Sequence, residues 1–228
     1  MTFNQIKMAI YAACITNYYG FKLKKATSSQ EKKYLRIKYA DTLLRKLKLK
    51  IKVLNREKLP QDGQFLLVSN HRSVIDPLII ELATKDSNIF GHWISKKELY
   101  NSFFFGIFVR NGGSVLLDRE NAKISSFFRD IKECTKAGNS IYIFPEGTRN
   151  KSDKELGKFK DGSRIIAIKN RLNILPVFIH SNANTQLMNS LHDGEKSHTI
   201  EIEIGDIIEY RDKTLSLEDA YKKQFNLK

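Results

Sequence analysis

Residues Phe65–Lys85 read FLLVSNHRSVIDPLIIELATK. The first five, FLLVS, form a continuous apolar run of strand length, the pattern of a strand covered on both faces in a parallel sheet. Polar Asn70, His71 and Arg72 interrupt it. Asp76-Pro77 then opens a helix, since Asp suits the N-cap and Pro the first helical position, and LIIELATK supplies its body. A buried strand that turns into a helix through a short polar loop is the repeating unit of an α/β sheet.

The unit recurs along the chain. Asn88–Ile94, Ser114–Leu117, Ser140–Phe144 and Ile174–Ile179 read as strands, and Lys96–Val109, Asn121–Ala137 and Ser163–Lys169 as helices. Thr199–Ile204 (TIEIEI) and Leu47–Leu54 (LKLKIKVL) alternate strictly, as half-buried strands do, and Leu217–Lys223 closes the chain as a helix. The expected fold is α/β, with a mixed, largely parallel sheet flanked by helices. Ahead of it, Gln30–Leu47 places Leu35, Tyr39, Leu43 and Leu47 four apart on one stripe of a basic amphipathic helix.

Charge divides the chain unevenly. The formal net charge is +14, and residues 1–58 hold fifteen Lys/Arg against three Asp/Glu, whereas 59–228 hold twenty-four against twenty-two. A basic block of this kind seeks a polyanion, either nucleic acid or an anionic lipid surface, unless it is simply a solvated face. The adjoining stretch Met8–Phe21 (MAIYAACITNYYGF) is apolar and Tyr-rich, too short for the roughly 20 residues of a bilayer span, and without the basic start or cleavage site of a secretory signal. Aromatic residues beside cations suit the membrane interface; a helix packed in the core is the plainer alternative. Residues 1–48 are therefore expected to form a membrane-association segment and 49–228 a catalytic domain. Cys14 and Cys134 form no disulfide or metal pattern, and neither a nucleic-acid motif nor a G-x-S-x-G hydrolase elbow is present.

Three polar clusters follow predicted strands, where open α/β sheets place their sites. In the first, a turn between His71 and Asp76 can fold the carboxylate onto one imidazole nitrogen, leaving the other as a base; an isolated pair of this kind is more often a loop histidine and a helix cap. In the second, Gly113-Ser114-Val115-Leu116-Leu117-Asp118-Arg119, Arg119 can grip a phosphate with its fork of donors or pair with Asp118 or Glu120. In the third, Phe144-Pro145-Glu146-Gly147-Thr148-Arg149, a turn at Gly147 can aim backbone N–H groups at an anion, with Arg149 adding charge and Glu146 orienting Arg149 or Arg119.

Taken in order, NHRSVIDP, GGSVLLDR, FPEGTRN and ILPVFI resemble the glycerolipid acyltransferases, most closely the 1-acylglycerol-3-phosphate (lysophosphatidic acid) acyltransferases. The resemblance covers about Leu49 to Ile204. It implies transfer of a fatty acyl group from a thioester of coenzyme A or acyl carrier protein, as co-substrate with no bound cofactor and no metal, to the sn-2 hydroxyl of 1-acylglycerol 3-phosphate, or alternatively to glycerol 3-phosphate or another lysophospholipid, at the cytoplasmic face of the cell membrane. It implies His71 as general base and Asp76 as its orienting partner. Gly113, Arg119, Glu146, Gly147, Thr148 and Arg149 match acceptor-binding motifs, Lys96 (or its neighbour Lys97) a phosphate contact, and Pro176 the acyl-donor side. Leu116 stands where an aromatic is common, Asn150 where Ser is usual, and NSFFFGIF lacks a Pro often found before the second motif.

Overall fold

Two helices lead the chain, α1 (Phe3–Lys25) and α2 (Ser29–Lys46), in a computed structural model that describes residues 3–118 and 124–227. There follow β1 (Leu49–Leu54), β2 (Phe65–Ser69), α3 (Asp76–Ala83), β3 (Gly91–Lys96), the short α4 (Lys97–Tyr100) and α5 (Gly106–Asn111), and β4 (Val115–Leu117). The chain ends with α6 (Ile124–Lys136), β5 (Ser140–Ile143), α7 (Gly162–Asn170), β6 (Asn173–Ile179), α8 (Ala183–His192), β7 (His198–Ile204) and α9 (Leu217–Gln224).

Among the described residues, seven strands form one sheet in the order β1-β7-β6-β2-β5-β3-β4. The run β6-β2-β5-β3-β4 is wholly parallel. β7 turns the direction by pairing antiparallel with β6, and β1 lies parallel beside it. The sheet is thus mixed and largely parallel, as the sequence pattern predicts. Its centre is β2, where Leu66, Leu67 and Val68 are wholly buried. Successive side chains point to opposite faces, so Leu67 joins α2, α3 and α8 in one apolar layer while Leu66 and Val68 join α6, α7 and α9 in the other. β7 keeps Ile200, Ile202 and Ile204 inside and turns Glu201 outward to pair with Lys52 on β1, its register neighbour.

The basic helix α2 is docked by its predicted stripe: Tyr39, Leu43 and Leu47 are buried, together with Ala40 and Leu44. Two of its cations also turn inward. Lys33 donates to the carbonyls of Thr84 and Ser87. Arg36 forms a buried ion pair with Glu81 on α3 and donates to the carbonyls of Gly91 and Gly112. Only the remaining cations of α2 face outward. α1 lays Met8, Tyr11, Ile15 and Tyr19 against the same layer and buries Leu23, and the Thr16 hydroxyl meets that of Tyr39 at 2.8 Å.

One expectation is corrected, and one helix adds to the pattern. The Phe-rich stretch 96–109 is two short helices rather than one, because Ser102 turns its hydroxyl onto the Phe105 N–H and Arg110 donates to the Tyr100 carbonyl, so side chains satisfy backbone groups between the helices. A helix the pattern did not announce, α8, begins at Asn182, whose side chain accepts from the Thr185 N–H, and packs Ala183, Leu187 and Leu191 on the sheet at four-residue spacing.

Candidate active site

The five parallel strands all end at one edge of the sheet, and the loops that leave them carry the predicted clusters. β2 leads to His71, β5 to Phe144–Arg149, β3 to Lys96 and β4 to Asp118. Since β2 and β5 are neighbours, the first and third clusters meet. Asn150 N–H donates to the His71 carbonyl at 2.7 Å and binds the two loops together.

His71 Nδ1 lies 2.8 Å from Asp76 Oδ2. The same oxygen accepts the backbone N–H groups of Arg72 and Ser73, each at 2.7 Å. Asp76 therefore does not cap its helix through its side chain; Ile75 holds the N-cap position, and the carboxylate is turned back into the loop. At 1% exposure it is shielded from water, whereas the His71 side chain is 18% exposed. A carboxylate at Nδ1 selects the tautomer with its proton there, which leaves the basic lone pair on Nε2. The imidazole also lies flat on the Phe144 ring, with centroids 4.0 Å apart and planes 10° from parallel.

Glu146 takes a different place from the one expected. It does not orient Arg149, and the Arg119 half of that expectation falls outside the described residues. Its Oε1 accepts the His71 N–H at 2.6 Å and its Oε2 the Gly157 N–H at 2.9 Å, at 4% exposure. A Cβ at position 157 would lie 2.3 Å from that Oε2, so only glycine admits this approach. Burial pushes the Glu146 carboxyl up to about 7, against the downward pull of the two backbone donors. Gly147 makes the turn possible with φ +70°, and its N–H closes onto the Phe144 carbonyl at 2.9 Å.

Beyond this turn Thr148 and Arg149 are exposed. Arg149 lines a polar recess of about 260 Å³ with Arg72, Asn150, Lys151, Asn182 and Asn184, on the β6 side of His71. Lys96 ends β3 on the other side, exposed, while its neighbour Lys97 is paired with Asp118 at 3.1 Å. Gly113 precedes β4, and its carbonyl accepts from His92 Nδ1 at 2.6 Å. Arg119 lies outside the described residues. Pro176 sits mid-strand opposite Val68, three residues short of the end of β6, or roughly 10 Å back from the edge.

Sequence reasoning missed the supports beneath the loop. Asn70 donates to the Ile179 carbonyl and accepts the Ile179 N–H, while its own N–H meets the hydroxyl of Tyr221 from α9. Nothing local to Tyr221 signals that role. Trp93, stacked on the Phe144 ring at 5.0 Å, was likewise unmarked.

The sequence pattern of the acyltransferase family matches residues 50–180, more than half of the chain. The chain belongs to the acyltransferase family. Relatives within it include the 1-acyl-sn-glycerol-3-phosphate acyltransferase of Helicobacter pylori, 41% identical over 51% of this chain and 48% of that protein. The enzyme of the same name from Streptococcus pneumoniae is 34% identical over 54% of this chain and 44% of its own. The chain thus spans about half the length of these relatives. The acyltransferase fold is shared with the crystal structure of the 1-acyl-sn-glycerophosphate (LPA) acyltransferase from Thermotoga maritima, at a TM-score of 0.69 and 23% identity, over 98% of this chain and 89% of that one.

Proposed function

We propose that this acyltransferase moves a fatty acyl group from a thioester to the sn-2 hydroxyl of 1-acylglycerol 3-phosphate, giving phosphatidic acid. The observation that carries the proposal is the contact of His71 Nδ1 with the buried Asp76 carboxylate at the carboxyl edge of the sheet. His71 Nε2 takes the proton of the acceptor hydroxyl as its oxygen attacks the thioester carbonyl. The C–O bond forms, the C–S bond breaks, and the imidazolium returns the proton to the departing thiolate. A thioester is already activated, so no covalent enzyme intermediate is required. The relatives that bear this activity in their names support the choice of acceptor.

Arg149, on the β6 side of His71, is assigned to the acceptor phosphate together with Lys96 and Arg119, of which Lys96 reaches in from the opposite side, and Gly113, Glu146, Gly147 and Thr148 are assigned to shaping the loops that carry these groups. Holding the phosphate places the hydroxyl against His71, and positioning of this kind lowers the barrier by several kcal/mol. Pro176 is assigned to the acyl-donor side. The donor is a thioester of coenzyme A or acyl carrier protein.

Such an acceptor resides in a bilayer, and α1 has a surface suited to one. Ile6, Ile10, Tyr18 and Phe21 form an exposed stripe along it, and Phe103, 88% exposed, and Phe104 stand beside it. Asn17 of α1 donates to the Phe104 carbonyl and ties the two together. Lys22, Lys24 and Lys25 end the helix. Among the described residues no helix is long and apolar enough to cross a membrane; the exposed stripe and the cations beside it are what support a helix lying in the interface, assigned to the cytoplasmic face. Residues 1–48 are assigned to this role and 49–228 to catalysis.

The deciding experiment assays transfer to 1-acylglycerol 3-phosphate and to glycerol 3-phosphate, each with both donor types, for the native chain and for His71→Ala. Transfer to 1-acylglycerol 3-phosphate that falls by about 10²–10⁴-fold in His71→Ala is expected. Preference for glycerol 3-phosphate reassigns the acceptor; full activity in folded His71→Ala overturns the mechanism.

A further inference from the structure

The hydrogen bond to Asp76 fixes one point of the His71 ring and leaves the plane free to pivot about it. A second constraint is needed to aim Nε2, and a chain of contacts supplies it from the interior. Phe144 is stacked on His71 on the one hand and on Trp93 on the other, at 5.0 Å and 25°. Trp93 is itself held twice. Its indole N–H donates to Glu81 Oε1 at 2.8 Å, and its ring meets Tyr142, its register partner on β5, edge-on at 5.2 Å. Glu81 is buried and anchored in turn by Arg36 of α2.

We propose that Trp93 and Phe144 are positioning residues for His71, and that the Glu81–Trp93–Phe144 stack clamps the imidazole plane so that Nε2 is presented to the reacting hydroxyl. The proposal rests on the reading of His71 as the base. Neither ring touches a reacting atom; both act through the imidazole. A flat contact at this distance resists rotation of the ring, whereas aliphatic side chains of similar volume fill the space without fixing a plane. Because the indole is pinned at its N–H, Phe144 is backed by a rigid surface rather than by a side chain free to change rotamer. The stack begins at α2, so the segment that precedes the sheet also serves the catalytic histidine.

The test uses the full chain in detergent and the variants Trp93→Phe, Trp93→Leu, Phe144→Tyr and Phe144→Leu. Folding is checked by circular dichroism and thermal midpoint. Misplacement by about 1 Å can cost a reaction about 10²-fold, so Trp93→Leu and Phe144→Leu are expected to lower kcat at least about tenfold. Since only the chemical step is disturbed, KM for acceptor and donor stays within about twofold. The aromatic replacements Trp93→Phe and Phe144→Tyr keep a ring in place and retain more of kcat than the leucine variants, Trp93→Phe less than Phe144→Tyr because it loses the N–H bond to Glu81. Independently of turnover, ¹⁵N-edited spectra of the imidazole without substrate are expected to show one sharp Nδ1–H signal in the native protein and in the aromatic variants. In the leucine variants that signal broadens or splits as the ring samples several planes. Unchanged kcat and an unchanged Nδ1–H signal in folded Phe144→Leu overturn the proposal, also where Trp93→Leu does not fold. Loss of kcat accompanied by equal rises in both KM values, or failure of the aromatic replacements to restore kcat, overturns it too. If His71→Ala keeps full activity, the assignment of the base fails instead, and the imidazole spectra still report whether the stack holds the ring.

Discussion

Two side chains beside His71 have separable signatures. Glu146 is the less obvious. Its carboxyl is pushed up to about 7 by burial, so below that pH the native state holds a proton that the unfolded chain gives up near 4.5. Its contribution to stability is therefore fully present below about pH 4.5 and is lost as pH rises through about 7, by on the order of 3 kcal/mol. Thermal midpoints of the native chain and of Glu146→Gln at pH 5 and pH 7.5 are expected to differ accordingly: the native protein loses more stability across that interval than the variant, which carries no titrating group there. Equal losses would place the proton elsewhere. Arg149 faces a recess it shares with Arg72 and Lys151, and its proposed partner is the acceptor phosphate. Arg149→Ala is expected to raise KM for the acceptor about tenfold or more and to leave KM for the donor nearly unchanged, since its planar fork of donors is lost and the Arg72 guanidinium in the same recess is already engaged with the Lys154 carbonyl. Steady-state kinetics with each substrate varied in turn checks this, and a defect confined to the donor would reverse the assignment.

At the scale of elements, α1 is a helix with two apolar sides. Met8, Tyr11, Ile15 and Tyr19 pack inward, while Ile6, Ile10, Tyr18 and Phe21 face out. The inward side explains why the helix stays on the domain; the outward side has no partner among the described residues and is the side proposed for the bilayer. Removal of the whole helix would disturb both, so substitutions on the outer stripe separate the two roles. Ile10→Ser with Phe103→Ser is expected to leave the thermal midpoint within a few degrees, because neither side chain is buried. The same pair is expected to reduce sedimentation with anionic vesicles severalfold, because each large apolar side chain moved into the interface contributes about 1.5–3 kcal/mol at most. Activity on detergent-dispersed acceptor is expected to persist. Vesicle binding equal to that of the native chain would remove the membrane role of this stripe. High salt should weaken binding as well, through Lys22, Lys24 and Lys25.

For the molecule as a whole, a buried ion pair ties α2 to α3 beneath its apolar stripe. Arg36→Met leaves the buried Glu81 without its ion-pair partner, with the Trp93 N–H as a donor and the charge of Lys33 acting on it, and loss of one partner from a buried pair costs about 3–5 kcal/mol. Denaturant midpoints are expected to fall accordingly, and the double variant with Glu81→Gln to recover part of the loss; no recovery would mean that packing, not charge, sets the cost. That pair also marks the boundary of what local pattern reveals. Strands, most helices and the loops that bear His71, Asp76, Glu146 and Arg149 were legible because period, turn residues and capping chemistry are properties of a few consecutive residues. α8 was not legible, because its polar composition masks its four-residue apolar stripe, and the stretch 96–109 was legible only in part, because side chains take over the backbone bonds that would have continued a helix. Strand order was not legible at all, nor was the fact that β2 and β5 are neighbours and so bring residue 71 against residues 144–150. The inward turn of Glu146, the burial of Lys33 and Arg36 in a helix that reads as a basic surface, and the stack from Trp93 to His71 belong to the same class. By itself the sequence determined the elements, the parallel character of the sheet and the family; tertiary structure alone decided which loops meet and which charges are buried, because those depend on contacts between residues tens to more than a hundred positions apart, where no local periodicity reaches.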